Sequence, residues 1–539
     1  MNYLKINKWV LSVVIFSISL GFLVSVPHLL HIVDDRYQGI PVHLNSDEDL
    51  YLARVQAVLC CGSDQVGNAI AGGNTIQPLQ AGIIEKAYGT FFRPFFYRAS
   101  SIFTLMDFVI PMLLFLSIVW FCRASGFSRK QSFIAAALFS FLELYNLGRP
   151  IHQRVSFLLV ILSMISIVVS LNKSVAWSIV AGIILGTLIG VYFWSFTAAW
   201  CFLAIATAWF LYKKDWRKLF SLSIAAGVGL VFAAPHLWDI YTLSQNSLYP
   251  EAYFRSGIGK SRTPESWAWS ILFLGMSMGA LANLFGTYKK YIFINLTIIC
   301  SFVLLNQHLI HGTRFLFASH YLFTLVFSAV LALVLFWKEK GIFNRIAFLS
   351  SLVFLCGIAI DGRSIISQWR LDEEDFSQQH LSGVLKILDQ IDQSVILSDP
   401  STSAFLASNT KHDVLYTPYL QHELRSHIEI AERFCMTQFA IPIENRTYKD
   451  RKPLVYGAAY DGISSSSEEE RVRAQEIALV DSVCEEMDES LFEFIDSYDV
   501  QYVLHDKKRY PEWDILSTDL NLNIIDRSDE WILYEVYVP

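Results

Sequence analysis

The sequence predicts a mainly α fold: a polytopic transmembrane helical bundle of about 11 spans with a cytoplasmic N-terminus, then a C-terminal extracytoplasmic α/β domain. Three observations predict it. The 539 residues are 53% hydrophobic with a mean hydropathy of +0.40, too apolar for an ordinary soluble chain and too long for one domain. Charge is divided unevenly: residues 1–362 hold 15 of the 49 acidic and 26 of the 42 basic residues. That part is +11 and nearly all apolar runs, whereas residues 363–539 are −18 and read as a soluble domain. Lastly, the Lys and Arg residues between the apolar runs gather on one side.

The expected spans lie near 9–26, 102–121, 132–147, 155–171, 174–192, 196–212, 219–237, 267–286, 291–306, 315–336 and 346–361. The 16-residue run at 132–147 is the weakest of them. Val26-Pro27-His28 offers no small-x-small cleavage site, so the first run reads as a span and not as a signal peptide. Lys5 and Lys8, Arg129 and Lys130, Lys173, Lys213 and Lys214, Lys289 and Lys290, and Lys338 and Lys340 all fall on one side of an eleven-span arrangement. That side is cytoplasmic by the positive-inside rule. The long first loop 27–101, the loops 148–154, 238–266 and 307–314, and the C-terminal domain then lie outside.

Within the first outer loop, 76–100 mixes Phe91, Phe92, Phe95, Phe96 and Tyr97 with Lys86, Arg93 and Arg98, as a helix lying in the membrane interface would. Beyond 370, Val395-Ile396-Leu397 reads as a buried strand, Ser403–Ala407 as the start of a helix and Val414-Leu415-Tyr416 as a short strand. Leu491–Tyr498 reads as a helix, Val500–Leu504 and Ile532–Tyr537 as strands, and Ser464–Glu470 as a mobile loop. The eight cysteines show no metal spacing, and Cys435 and Cys484 are suited to pair if their domain is extracytoplasmic. The acidic outer domain argues against nucleic acid as a partner.

The residues that point to chemistry are Asp47-Glu48-Asp49-Leu50-Tyr51 in the first outer loop. If Ser46 caps a short helix, Asp47, Tyr51 and Arg54 share one face, and a carboxylate there accepts a proton from an incoming hydroxyl while Tyr51 and Arg54 orient it. Glu48 and Asp49 point elsewhere, and Asp47-x-Asp49 also has the spacing to share a divalent cation such as Mg2+ or Mn2+. Acids behind a serine also suit a helix N-terminus, where each charge contributes about 0.3–1 kcal/mol against the dipole. Asp107 and Glu143 sit near the outer ends of apolar runs, and ionisable groups inside a membrane are functional candidates that Arg149 or Arg154 can neutralise. The pairs His28-x-x-His31 and His308-x-x-His311 suit interfacial polar residues better than a metal site.

Asp47-Glu48-x-x-Tyr51, after one span and in the first outer loop, resembles the Asp-Glu motif of the GT-C glycosyltransferase superfamily. That group includes protein mannosyltransferases, aminoarabinose transferases and oligosaccharyltransferases. The resemblance covers the architecture of the whole chain but the motif only at Asp47, Glu48 and Tyr51; the Trp-Trp-Asp signature of the oligosaccharyltransferases is missing. It implies transfer of a sugar from a polyprenyl-phosphate or pyrophosphate carrier to an extracytoplasmic glycan, lipid or protein acceptor, at a bacterial inner (plasma) membrane. Asp47 and Glu48 would be catalytic, Asp49, Tyr51 and Arg54 would bind substrate, and metal dependence differs among such enzymes. The donor phosphate needs cations on the same side. Arg314 in His311-Gly312-Thr313-Arg314-Phe315 fills that role by resemblance, with Arg149 and Arg154 as further candidates. Membrane lipid is the remaining partner. Alternatives are a transporter or flippase of lipid-linked sugars, for which no gapped repeat is visible, an envelope polysaccharide ligase or polymerase, and a scaffold displaying the α/β domain.

Overall fold

The computed structural model describes residues 7–43, 48–62, 70, 79, 81–144, 146–148, 153–286, 291–314, 318–366, 371–441, 454–462, 466–489, 491–515, 518 and 520–537. Two compact units emerge. The first comprises Met1–Leu30, Thr104–Asp239 and Lys260–Leu371; the second comprises His31–Phe103, Ile240–Gly259 and Asp372–Pro539. The sequence boundary at 362/363 left the first outer loop with the bundle, whereas this division groups residues 31–103 with the α/β domain.

In the first unit, eight described helices are long and apolar enough to cross a membrane. They include α1 (Lys8–Val33) and, after the short α2 (Glu48–Cys61) and α3 (Ile83–Phe92), α4 (Ala99–Ala124). The others are helices Gln153–Asn172, Phe193–Tyr212, Trp216–Ser244, Trp267–Phe285, Ile292–Asn306 continuing to His311, and Ile342–Ile366. The three remaining expected spans meet shorter helices, Arg129–Leu142, Ala176–Ile189 and Leu322–Phe336. At about 1.5 Å per residue, 14 residues reach only about two thirds of a bilayer's hydrocarbon thickness. The helix Arg129–Leu142 is set by a capping box in which Ser128 and Gln131 satisfy each other's backbone N–H groups.

The helices pack through small residues, as lipid-solvated helices must when no hydrophobic gradient drives them together. A Cβ at Gly186 would fall 2.5 Å from the Gly229 carbonyl oxygen, and one at Gly279 2.5 Å from the Ala347 Cβ. Phe139, Phe157, Phe323 and Phe327 fill the interior with ring contacts of 5.4–5.9 Å. Outward, Phe220, Val231, Trp238 and Ile271 are each more than 60% exposed. An apolar exterior over helices that approach one another at small residues is the arrangement a bilayer stabilises.

The second unit is built on a five-stranded sheet. Its strands are β1 (Val395–Leu397), β2 (Asp413–Val414), β3 (Val500–Asp506), β4 (Asn521–Arg527) and β5 (Trp531–Tyr537), in the order β2-β1-β3-β5-β4. β1 runs parallel to β2 and β3, and β5 is antiparallel to β3 and β4. The all-buried Val-Ile-Leu of β1 is what a central parallel strand requires. Asp399 caps the helix Pro400–Asn409 by accepting from the Ser401 and Thr402 amides, with Pro400 at its first position. Cys435 and Cys484 form a disulfide with Cα atoms 5.1 Å apart, joining helices His427–Met436 and Ser466–Glu489.

Two local expectations are corrected. Residues 466–470 are not a mobile loop but the first turn of the helix Ser466–Glu489, where Glu468 and Glu469 complement the helix dipole. The strand β4 was missed because its burial does not alternate, most of its residues being exposed.

Candidate functional site

The acidic segment is the N-terminal turn of α2. Glu48 opens the helix and is 4% exposed; Leu50, Tyr51 and Arg54 are buried as well. Asp47, with Ser46, lies outside the described residues, so the expected Ser46 cap does too. Asp49 is partly buried, its carboxylate 2.6 Å from His43 Nδ1. Tyr51 and Arg54 share a face as the spacing required, with the Arg54 guanidinium 6.0 Å from the Tyr51 ring centroid.

α3 closes over this face. Gly89 permits the approach, since a Cβ there would fall 2.5 Å from the Val58 side chain. Arg54 Nη1 donates to Glu85 Oε1 at 3.4 Å, both groups being buried. Burial raises the Glu85 pKa while Arg54 opposes the rise. Beside them, burial first, and then the positive charges of Arg54 and Arg255, push His422 down to about 4. Arg255 itself is drawn down to about 10 by burial, with Glu251, Glu423 and Glu429 opposing. Its guanidinium donates to the carbonyls of Gln421, Glu423 and Arg425, so it is a fixed brace. Two buried guanidinium groups, those of Arg54 and Arg255, thus stand in the surroundings of α2 and α3.

His43, Glu85 and His422 were not anticipated. His43 sits only six residues before Asp49, but nothing in a single sequence marks a loop histidine as a carboxylate partner. Glu85 falls within the segment expected to be interfacial, where its burial could not be read from periodicity.

The remaining candidate cations belong to the bundle unit. Arg154 is fully buried and donates through Nη2 to Asp107 Oδ1 at 2.5 Å, while His28 Nε2 lies 2.6 Å from Asp107 Oδ2. The expected neutralisation of Asp107 by Arg154 is thus realised, in a three-helix network joining α1, α4 and Gln153–Asn172. Glu143 accepts from Asn146 Nδ2 at 2.7 Å. Arg149 lies outside the described residues. Arg314 ends the two-residue extended segment Thr313–Arg314, directly after Gly312, whose φ of +80° needs a glycine; its side chain is outside the described set. Arg262 braces this segment by donating to the carbonyls of Leu309 and Ile310.

Neither histidine pair acts as one. His28 binds Asp107, and His31 stacks on Phe376 at 4.5 Å; His308 Nε2 lies 2.8 Å from the Thr263 carbonyl, and His311 Nδ1 accepts from the Thr313 amide. Among the described residues no group of three or more His, Cys, Asp or Glu is placed to hold a metal ion.

No protein-family model and no curated protein matches the chain. Solved structures similar to it include the oligosaccharyltransferase of Archaeoglobus fulgidus, crystallised with a tethered acceptor peptide containing the NVT sequon. The identity is 12%, over 93% of this chain and 70% of that one, with a TM-score of 0.46. Another is ArnT from Cupriavidus metallidurans bound to undecaprenyl phosphate, at 11% identity over 98% of each chain and a TM-score of 0.42. The apo state of the same protein gives 12% identity over 98% of each chain and a TM-score of 0.34. Agreement this loose carries no weight for function, which rests on the residues themselves.

Proposed function

We propose that the chain is an integral-membrane glycosyltransferase that moves a sugar from a polyprenyl-phosphate or pyrophosphate carrier to an extracytoplasmic glycan, lipid or protein acceptor. The observation that carries this reading is the acidic first turn of α2. Its carboxylates stand on a helix whose sides are buried, a short stretch of chain after the membrane-length α1. A carboxylate held on a helix fixed in that way is positioned to act as a base.

In the proposed reaction, Asp47 accepts the proton of the acceptor hydroxyl, with Glu48 supporting it. The acceptor oxygen forms a bond to the anomeric carbon as the bond from that carbon to the phosphate oxygen breaks. The electron pair leaves with the phosphate, whose charge Arg314 stabilises, with Arg149 as a further cation. Asp49, Tyr51 and Arg54 shape the acceptor side: His43 orients Asp49, and Glu85 holds Arg54 against Tyr51. Arg154 would act from its pair with Asp107. A divalent cation, if used, would be shared between Asp47 and Asp49, and chelation of purified protein tests that.

The experiment is transfer of a radiolabelled sugar from undecaprenyl phosphate by purified protein in liposomes, comparing wild type with Asp47→Asn and Glu48→Gln. Loss of a general base lowers turnover by about 10²–10⁴-fold, so Asp47→Asn should be nearly inactive while still binding undecaprenyl phosphate. Full activity of Asp47→Asn would remove the proposal. Movement of intact label across the bilayer would favour a flippase instead.

A further inference from the structure

In the second unit the α/β domain and the first outer loop are one packed body. Gln379, 4% exposed, accepts through Oε1 from the backbone amides of Gln38 at 2.7 Å and Ile40 at 3.3 Å, and donates through Nε2 to the Ile40 carbonyl at 2.6 Å. Ser382 Oγ reaches the Gln38 side chain at 3.2 Å. Farther along the loop, α2 lies against the helix Pro400–Asn409, and the fully buried Ser408 Oγ donates to the Asp49 carbonyl at 3.1 Å. Ile40, Ala53 and Ile70 of the loop are buried in the same core as Ile396, Phe405 and Val414. Ile70 also bridges Val414 in parallel fashion, at the edge strand β2.

These bonds bracket the acidic turn. Gln379 fixes the chain on its N-terminal side, and Ser408 fixes the helix that carries it. A domain serving only to bind acceptor would have no need to enclose two backbone amides and a carbonyl of this loop with one buried side chain. We infer that the α/β domain is the positioning element of α2, with Gln379 and Ser408 as positioning residues that set the acidic turn for proton transfer. The inference rests on the glycosyltransferase reading of that turn. Its physical basis is that an error of about 1 Å in a reacting group costs about 10²-fold in rate, while binding elsewhere in the site is unaffected.

The test is Gln379→Met, which keeps the volume of the side chain and removes all three hydrogen bonds. Turnover of sugar from undecaprenyl phosphate should fall by about 10–100-fold, while affinity for undecaprenyl phosphate stays within about twofold. Gln379→Glu supplies a second readout. Its carboxyl, when protonated, both accepts from the Gln38 and Ile40 amides and donates to the Ile40 carbonyl, so turnover should recover as pH falls, relative to wild type. Wild-type turnover in Gln379→Met overturns the positioning role, as does a drop in turnover matched by loss of undecaprenyl phosphate binding. If Gln379→Met does not fold, Ser408→Ala is read by the same two measurements. An inactive Asp47→Asn beside a fully active Gln379→Met would sink positioning alone. A fully active Asp47→Asn would instead sink the reading on which it rests.

Discussion

The two units bury charge in opposite ways. In the bundle, the Asp107 carboxylate binds both Arg154 and His28, in a network among three apolar helices. In the second unit, Arg54, Arg255 and Arg425 are each about 1% exposed, and several backbone carbonyls and carboxylates share them. The bundle's charges are thus held through one carboxylate, whereas the second unit's are held by a fold that many segments build together. A single removal should be costly in the first case, and in the second its effect should be distributed and dependent on pH.

The sharpest way to break that comparison is in the bundle. Asp107→Asn leaves the Arg154 guanidinium buried beside a neutral partner, and breaking such a pair costs about 3–5 kcal/mol. Thermal unfolding in detergent should show a large loss for Asp107→Asn and partial recovery in the Asp107→Leu/Arg154→Met double variant, in which no charge is stranded. Equal losses in both would mean that the network contributes shape and not charge balance.

A smaller effect is expected in the second unit. Burial raises Asp399 to about 6, against hydrogen bonds from Thr402 and Ser401, with Asp506 adding to the rise. Because the folded-state value lies above the ordinary carboxylate value, ionisation of Asp399 costs stability at neutral pH. That cost disappears as pH falls through about 6 toward 4. Asp399→Asn retains an oxygen to cap the helix Pro400–Asn409 and cannot ionise. It should therefore stabilise the unit by about 1–3 kcal/mol at pH 7 and flatten this part of its pH dependence. Unfolding temperatures measured across that range for both proteins check it; parallel curves would contradict it.

The same contrast governs what the sequence revealed. Every expected span meets a helix, because long apolar runs leave the backbone no other way to satisfy its hydrogen bonds in lipid. Tyr51 and Arg54 were legible as sharing a helix face, since the 3.6-residue period fixes which side chains share a side. The partners that complete the site were not. Glu85 and His422 reach Arg54 only through tertiary packing, and no local pattern ties position 54 to position 422. The assignment of residues 31–103 to the second unit was hidden for the same reason. Ile40, Ala53 and Ile70 are ordinary apolar residues until the core they enter is known. Strand β4 escaped because an exposed edge strand has no buried face to impose alternation.

The proposal that the acidic turn of α2 moves a sugar off a lipid carrier is tested most directly by following both halves of the donor. Purified protein in sealed liposomes is given undecaprenyl phosphate bearing a radiolabelled sugar, together with a membrane extract as acceptor source. The account predicts that label appears on the acceptor in step with free undecaprenyl phosphate, one for one. Label that stays on its carrier, with no undecaprenyl phosphate released in the presence of that extract, would contradict it.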